Sequence, residues 1–264
     1  MLQVAARGLA MLVRFARAYP LTALIAAAIY AGTAVISTPA LAGLLPSGRA
    51  GWYVASWVGS LPRTLLLVPV WTALLRFVVL GPERRGYFTL DFRTLRVLRV
   101  ELVLWAVLFA GGMVPTFSLD LLPHFLSGRR ASVAFVATLI TKLLAWWLTL
   151  RLAIAPTLAA AGMRPYPLDT SLAFTRGWFF FLLGVRLTIW LAYLLPLAGV
   201  AAVEGFDART LAAMDAAPGW LAAMTALAAV VELTDGAAMA LMTQRIVRAR
   251  AADEDAEETV AAGR

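Results

Sequence analysis

The chain alternates long apolar runs with short arginine-bearing segments, and the runs set the elements. Apolar stretches predict membrane-length helices over residues 20–44, 59–81, 100–119, 131–153, 178–202 and 219–243, because about 20 mostly apolar residues cover a hydrocarbon core of about 30 Å. Residues 1–19 are patterned differently. Gln3, Arg7, Arg14 and Arg17 share one helical face while Leu2, Leu9, Leu12 and Phe15 lie on others, as in a helix lying in a membrane interface. The stretch Phe88–Arg99 repeats the device, with Arg93, Arg96 and Arg99 interleaved by Phe88, Phe92, Leu95 and Leu98. Asp169, after Pro167, is placed to cap a helix running through Phe174 into the fifth span. At the C-terminus, Asp253, Glu254, Asp255, Glu257 and Glu258 make 251–264 too polar to pack, and a disordered acidic tail is expected there. The fold class implied is all-α: a polytopic transmembrane bundle of about six helices (1–250) with cytoplasmic interfacial amphipathic helices.

Composition supports that class. Of 264 residues 62% are hydrophobic and 14% charged, with mean hydropathy +0.82, against about 45–50% and 25% in soluble domains. Orientation follows from the arginines. Arg7, Arg14, Arg17, Arg84, Arg85, Arg93, Arg96, Arg99, Arg164, Arg176, Arg245, Arg248, Arg250 and Arg264 fall on one side, and only Arg49, Arg129, Arg130 and Arg209 on the other. By the positive-inside rule both termini are cytoplasmic. Lys142 is the sole lysine and asparagine is missing, a bias of GC-rich genomes that points to a bacterial inner membrane. The small-residue stretch around Ala42 imitates a signal-peptide cleavage site, but the long amphipathic leader favours an uncleaved first span.

Three entries into outgoing spans look alike: RGLAMLVRFARAYPL, DFRTLRVLRVELVLW and DTSLAFTRGWFFFLL. Returning spans end near Arg76, Arg151 and Arg245; three hairpins of similar plan would make a compact six-helix bundle, but the attraction of arginine to any cytoplasmic helix end is the reading favoured.

The chemistry worth explaining lies inside the apolar runs. Counting 1.5 Å per residue from Arg245 puts Asp235 about 15 Å deep and Glu232 about 19 Å deep. Each bare charge there costs roughly 2.5–3.5 kcal/mol, so partners are expected. Arg186 is level with Asp235, and Lys142, measured from Arg130 and Arg151, is level with Glu232. A crossed pairing is nearly as good. Arg63, after Pro62, is expected to snorkel to the headgroups. Seams of small or polar residues at Ala228, Glu232, Gly236 and Ala240, at Thr138, Lys142, Ala145 and Thr149, and at Ala23, Ala27 and Ala31 mark close helix approaches. Paired charges among tight seams read first as a structural lock, then as a substrate or ion pathway, then as a seat for a partner's helix.

Enzymatic motifs are missing: no HExxH, GxSxG, P-loop or GxGxxG occurs, His124 stands alone, and Glu204, Asp207 and Asp215 read as solvated loop acids. No catalytic residue, cofactor or metal site is expected. The basic balance, with a pI near 10.7, is met by anionic lipid at Arg7, Arg14, Arg17, Arg93, Arg96 and Arg99 rather than by nucleic acid; a membrane-protein partner is the other candidate, and the acidic tail offers it a contact.

The segments LLRFVVLG at 74–81, RLAIAPTLAAAG at 151–162 and DTSLAFTRGWFFFLL at 169–183 resemble a group of uncharacterised proteobacterial inner-membrane proteins and, more loosely, the membrane domain attached to some glycerophosphodiester phosphodiesterases. The resemblance covers about half the chain. It implies a six-helix bundle with cytoplasmic termini and transfers no catalytic residue, since that family's chemistry belongs to a separate soluble domain. The function expected is that of a non-enzymatic structural or accessory inner-membrane protein; the alternative is a small transporter or channel working through Lys142, Arg186, Glu232 and Asp235.

Overall fold

In a computed structural model of the protein, residues 1–37, 49–81, 90–125, 129–163, 166–204 and 218–262 are described. Every element among them is helical: α1 (Leu2–Ala18), α2 (Pro20–Ser37), α3 (Arg49–Leu80), α4 (Phe92–Phe125), α5 (Arg129–Arg151), α6 (Ala155–Ala161), α7 (Pro167–Phe174), α8 (Phe179–Glu204) and α9 (Pro218–Ala262). Three stretches are long and apolar enough to cross a membrane, Ser60–Leu80, Val136–Ala161 and Ala223–Ala252. Two bent pairs, α1 with α2 and α7 with α8, pass the same test together, which makes up to five. This is the composition and geometry of a membrane protein. The segment near Ala42, the arginines Arg84, Arg85, Arg164, Arg209 and Arg264, Phe88, the loop acids Asp207 and Asp215, and the side chain of His124 lie outside the described residues.

At the first bend the chain turns by 110°. Tyr19 N–H closes α1 on Phe15 O at 2.8 Å, and Pro20, with no N–H to satisfy, starts the next helix. Phe15 and Tyr19 both pack against Phe77 of α3, with ring centroids 5.6 and 5.9 Å away. α1 buries Val4, Gly8 and Phe15 and crosses α9 so closely that a Cβ on Gly8 would lie 3.0 Å from both Ala238 Cβ and Thr234 O. Its Arg7, Arg14 and Arg17 stay exposed.

Helix ends in the interior find their partners. Gln244 of α9 donates from Nε2 to Val78 O (3.2 Å) and Val79 O (2.9 Å), capping α3, while Gly81 at φ +83° turns the chain away. α4 starts at Phe92, where Asp91 supplies the cap: its Oδ1 accepts from the N–H of Arg93 and of Thr94, both at 3.0 Å. The helix then buries Thr94, Val97 and Val100 and leaves Phe92 and Leu95 exposed.

Span four differs most from expectation. The chain does not leave the bundle at Arg151; after a turn at 152–154 it resumes as α6, whose residues from Ala155 to Ala160 are all buried. Pro156 explains the break. Its missing N–H forfeits a bond to Leu152 O, and Ala155 N–H takes that acceptor instead at 3.0 Å. Arg151 O is thereby released, and Ser171 Oγ (2.7 Å) and Thr175 Oγ1 (3.0 Å) both donate to it. The Arg151 guanidinium donates in turn to Leu172 O. A buried carbonyl without such donors would be destabilising by about 1–3 kcal/mol.

Asp169 makes no side-chain cap; Tyr166 holds the cap position of α7 and Asp169 falls in its first turn. α7 does not run into span five either, for the pair bends by 101° through a turn containing Gly177 at φ +91°. The acidic stretch is the last departure. α9 continues helically to Ala262, since ARAADEDAEETVAA is alanine- and glutamate-rich and extends a helix already nucleated.

Candidate functional site

The structure brings Arg186 and Asp235 together, the pair suggested by equal depth. Arg186 Nε lies 3.0 Å from Asp235 Oδ2 and 3.3 Å from Oδ1. The contact joins α8 to α9, and Asp235 is buried. One turn earlier on α9, Glu232 has partners the sequence did not reveal. Tyr30 of α2 donates its hydroxyl to Glu232 Oε2 at 2.5 Å, and Arg63 Nη2 of α3 approaches Oε1 at 3.5 Å. The Arg63 guanidinium also sits 5.5 Å over the Tyr30 ring, a cation–π contact within the usual reach of about 6 Å.

Two expectations are corrected by this. Lys142 does not pair with Glu232: its side chain is exposed, among the equally exposed Leu139, Leu143 and Leu144. The reason is depth. Thr149 and Ala153 are the span-four residues level with the charges, and Lys142 lies roughly 10–16 Å from them toward the Arg129 end. Nor does Arg63 snorkel outward, because α3 extends about 21 Å beyond it to Arg49. The Ala23, Ala27 and Ala31 seam also shifts. Ala27 and Ala31 are exposed, and α2 instead buries Thr22, Ala26 and Tyr30, the face that sends the phenol to Glu232. On α9 the seam holds: Gly236 receives the Trp71 ring and Ala240 is fully buried.

All these ions border one cavity of about 500 Å³. A fifth ionisable group joins them there. Glu101 of α4 lies about 14 Å along its helix from Phe92, and its face, continued by Leu104, Trp105 and Leu108, lines the same space. Trp105 is held by its Nε1–H donating to Ser60 Oγ of α3 at 3.2 Å and by stacking on Phe109. Glu101 has no ion pair or hydrogen bond among the described residues. The wall also carries Thr157 of α6, whose buried Oγ1 has no partner among the described residues. Two arginines therefore face three carboxylates, and each arginine is engaged by a different one. Among the described residues no group of three His, Asp or Glu could hold a metal ion.

No protein-family model, curated protein or solved structure matches this chain. The site must be read from its own geometry.

Away from the cavity, the arginines assigned to lipid stay outside or partly so: Arg93 and Arg99 are exposed and Arg96 lies 4.6 Å over the Phe92 ring. They lie in the first turns of α4, after Asp91, whose second oxygen is 3.8 Å from Arg76 Nη1. Partial burial alone would raise the Asp91 pKa, but the Thr94 and Arg93 N–H groups and the Arg76 guanidinium outweigh it and hold the carboxyl below its ordinary range. A depressed folded-state value means that the stabilisation is present above the unfolded pKa, about 3.9, and is lost as pH falls through the folded one. We expect Asp91→Ala to cost about 0.5–2 kcal/mol at pH 7. In thermal unfolding the gap to wild type should narrow once the pH drops below about 4; a gap independent of pH would show that the cap is not made by the ionised carboxyl.

Proposed function

We propose that this chain is a six-span protein of a bacterial inner membrane, with both termini cytoplasmic, that binds a small solute in the ion-lined cavity and works as a small transporter. One observation carries the reading: Arg63, Glu101, Arg186, Glu232 and Asp235 all border the same space of about 500 Å³. Ions that served only to fasten helices would each be paired and further hydrogen-bonded, since a buried pair repays its desolvation only with good geometry and its remaining polar atoms satisfied. Here they form the wall of a volume within the range of about 300–1,000 Å³ usual for small-molecule sites. Ionisable groups inside a membrane that face an internal cavity mark pathways more often than scaffolding.

The accessory-protein reading keeps the support of the Arg186–Asp235 contact, which fastens α8 to α9. On the transporter reading the same contact shapes the wall. Exposed Arg7, Arg14, Arg17, Arg93 and Arg99, with Arg96 beside them, meet anionic headgroups at about 1 kcal/mol each, and the arginine asymmetry supports the orientation.

Absence of cysteine makes the test direct. Single cysteines at Leu108, Thr157 and Met239, on the cavity wall, are compared with cysteines at the exposed Leu143 and Leu144. Reaction with a small water-soluble methanethiosulfonate should be much faster at the wall positions. Equal rates at both sets would mean a dry interior and would return the charges to a fastening role.

A further inference from the structure

The cavity's charge inventory identifies the chemical class of its occupant. Arg186 is engaged with Asp235 through Nε, and Arg63 with Glu232. Tyr30 adds a neutral donor to Glu232. Glu101 is left as a third carboxylate with no ion pair or hydrogen bond among the described residues. The Arg186 charge also acts on Glu101, but Arg186 is already bound to Asp235; a buried carboxylate with no direct partner is unfavourable, and two guanidinium groups are set against three carboxylates around one space.

The neighbours of Glu101 specify what would pair with it. On α4, Leu104, Trp105 and Leu108 follow Glu101 at the spacing that places them on one helical face. Trp71 of α3 and Trp190 of α8 line the same space. Indole faces attract cations through the ring quadrupole, most strongly for alkylated ammonium groups that shed water easily. A small inorganic cation is disfavoured, because dedicated cation sites converge several oxygens on one point and no such group of three occurs among the described residues. Thr157 Oγ1, buried on the cavity wall without a partner among the described residues, offers one further hydrogen bond to a bound molecule.

We infer that the cavity takes an organic ammonium cation, a single positive charge on an apolar body, with Glu101 as its counter-ion and the indoles of Trp71, Trp105 and Trp190 around it. The inference rests on the reading of the cavity as a solute site. Glu101 supplies the charge that selects cations; the aromatic and leucine face supplies contact area without a second charge.

The probe is benzyltrimethylammonium, with neopentylbenzene as its uncharged carbon isostere. Binding is measured by equilibrium dialysis at pH 7 on the full chain in nanodiscs of zwitterionic lipid, with protein-free nanodiscs as baseline. Saturable binding of the cation is expected, with the isostere weaker by about tenfold or more. Glu101→Gln, which keeps the side-chain shape, should weaken the cation by a similar factor while leaving the isostere unchanged. Because the two probes are compared on the wild-type chain, the inference stays testable even if that variant fails to fold. Equal binding of the two probes, no saturable binding of the cation, or undiminished binding to a folded Glu101→Gln protein would each overturn it. Cysteine reactivity separates the two failures: a reactive wall that ignores the cation leaves the solute site standing with a different occupant, whereas an unreactive wall removes both.

Discussion

Arg186→Met is expected to lower the unfolding free energy by about 3–5 kcal/mol, and Asp235→Asn by a similar or slightly smaller amount. The expectation comes from burial. Asp235 is only 8% exposed, and its two oxygens both face Arg186 Nε, so removing the guanidinium leaves an ionised carboxylate in a low-dielectric wall. Removing both charges removes that penalty, and Arg186→Met with Asp235→Leu should recover most of the loss. Reversible denaturation in detergent micelles measures all three variants. Single variants within about 1 kcal/mol of wild type would show that this contact contributes little to joining α8 and α9, for surface-like positions behave that way. The same cycle on Arg63 and Glu232 should give smaller numbers, because that contact is longer at 3.5 Å and both side chains are about a third exposed.

Why the sequence yielded one of these contacts and not the other is a matter of where helices end. Arg186 and Asp235 sit on spans whose inner ends are set by Arg176 and Arg245, so counting residues gave their relative depth. The depth of Lys142 follows from Arg130 and Arg151, and Arg151 looks like a span end but is followed by the buried α6. Proline in RLAIAPTLAAAG reads as a loop signal; the lack of any charge between Leu152 and Gly162 was the better clue to burial. Glu101 was hidden by the opposite error. Starting span three at residue 100 puts it at the membrane edge, whereas the Asp91 cap starts the helix early enough to carry it into the bundle. Tyr30 had no distinguishing signal at all, since a tyrosine in an apolar run fits a lipid-facing position as well as a buried one. The all-helical character and the candidate membrane spans needed none of this detail, because apolar runs of membrane length show them.

Gly236→Ala tests the packing that shapes the cavity. A Cβ at this position would collide with the Trp71 ring, so α9 and the indole of α3 occupy adjoining space only because position 236 has no side chain. Trp71 is packed against two apolar clusters, one around Phe77 and Ala240, the other around Ala26 and Val70, so it can yield only toward the cavity and at the cost of those contacts. We expect a loss of about 1–3 kcal/mol, the usual range for overpacking. Room made on the other side should restore it: Trp71→Leu in the Gly236→Ala background is expected to unfold closer to wild type than Gly236→Ala alone, although Trp71→Leu by itself is destabilising through lost burial. A coupling of that sign locates the strain at the 71–236 contact. Simple addition of the two single losses would place it elsewhere, and Trp71 would then no longer be the residue that fixes how near α3 and α9 approach on the cavity wall.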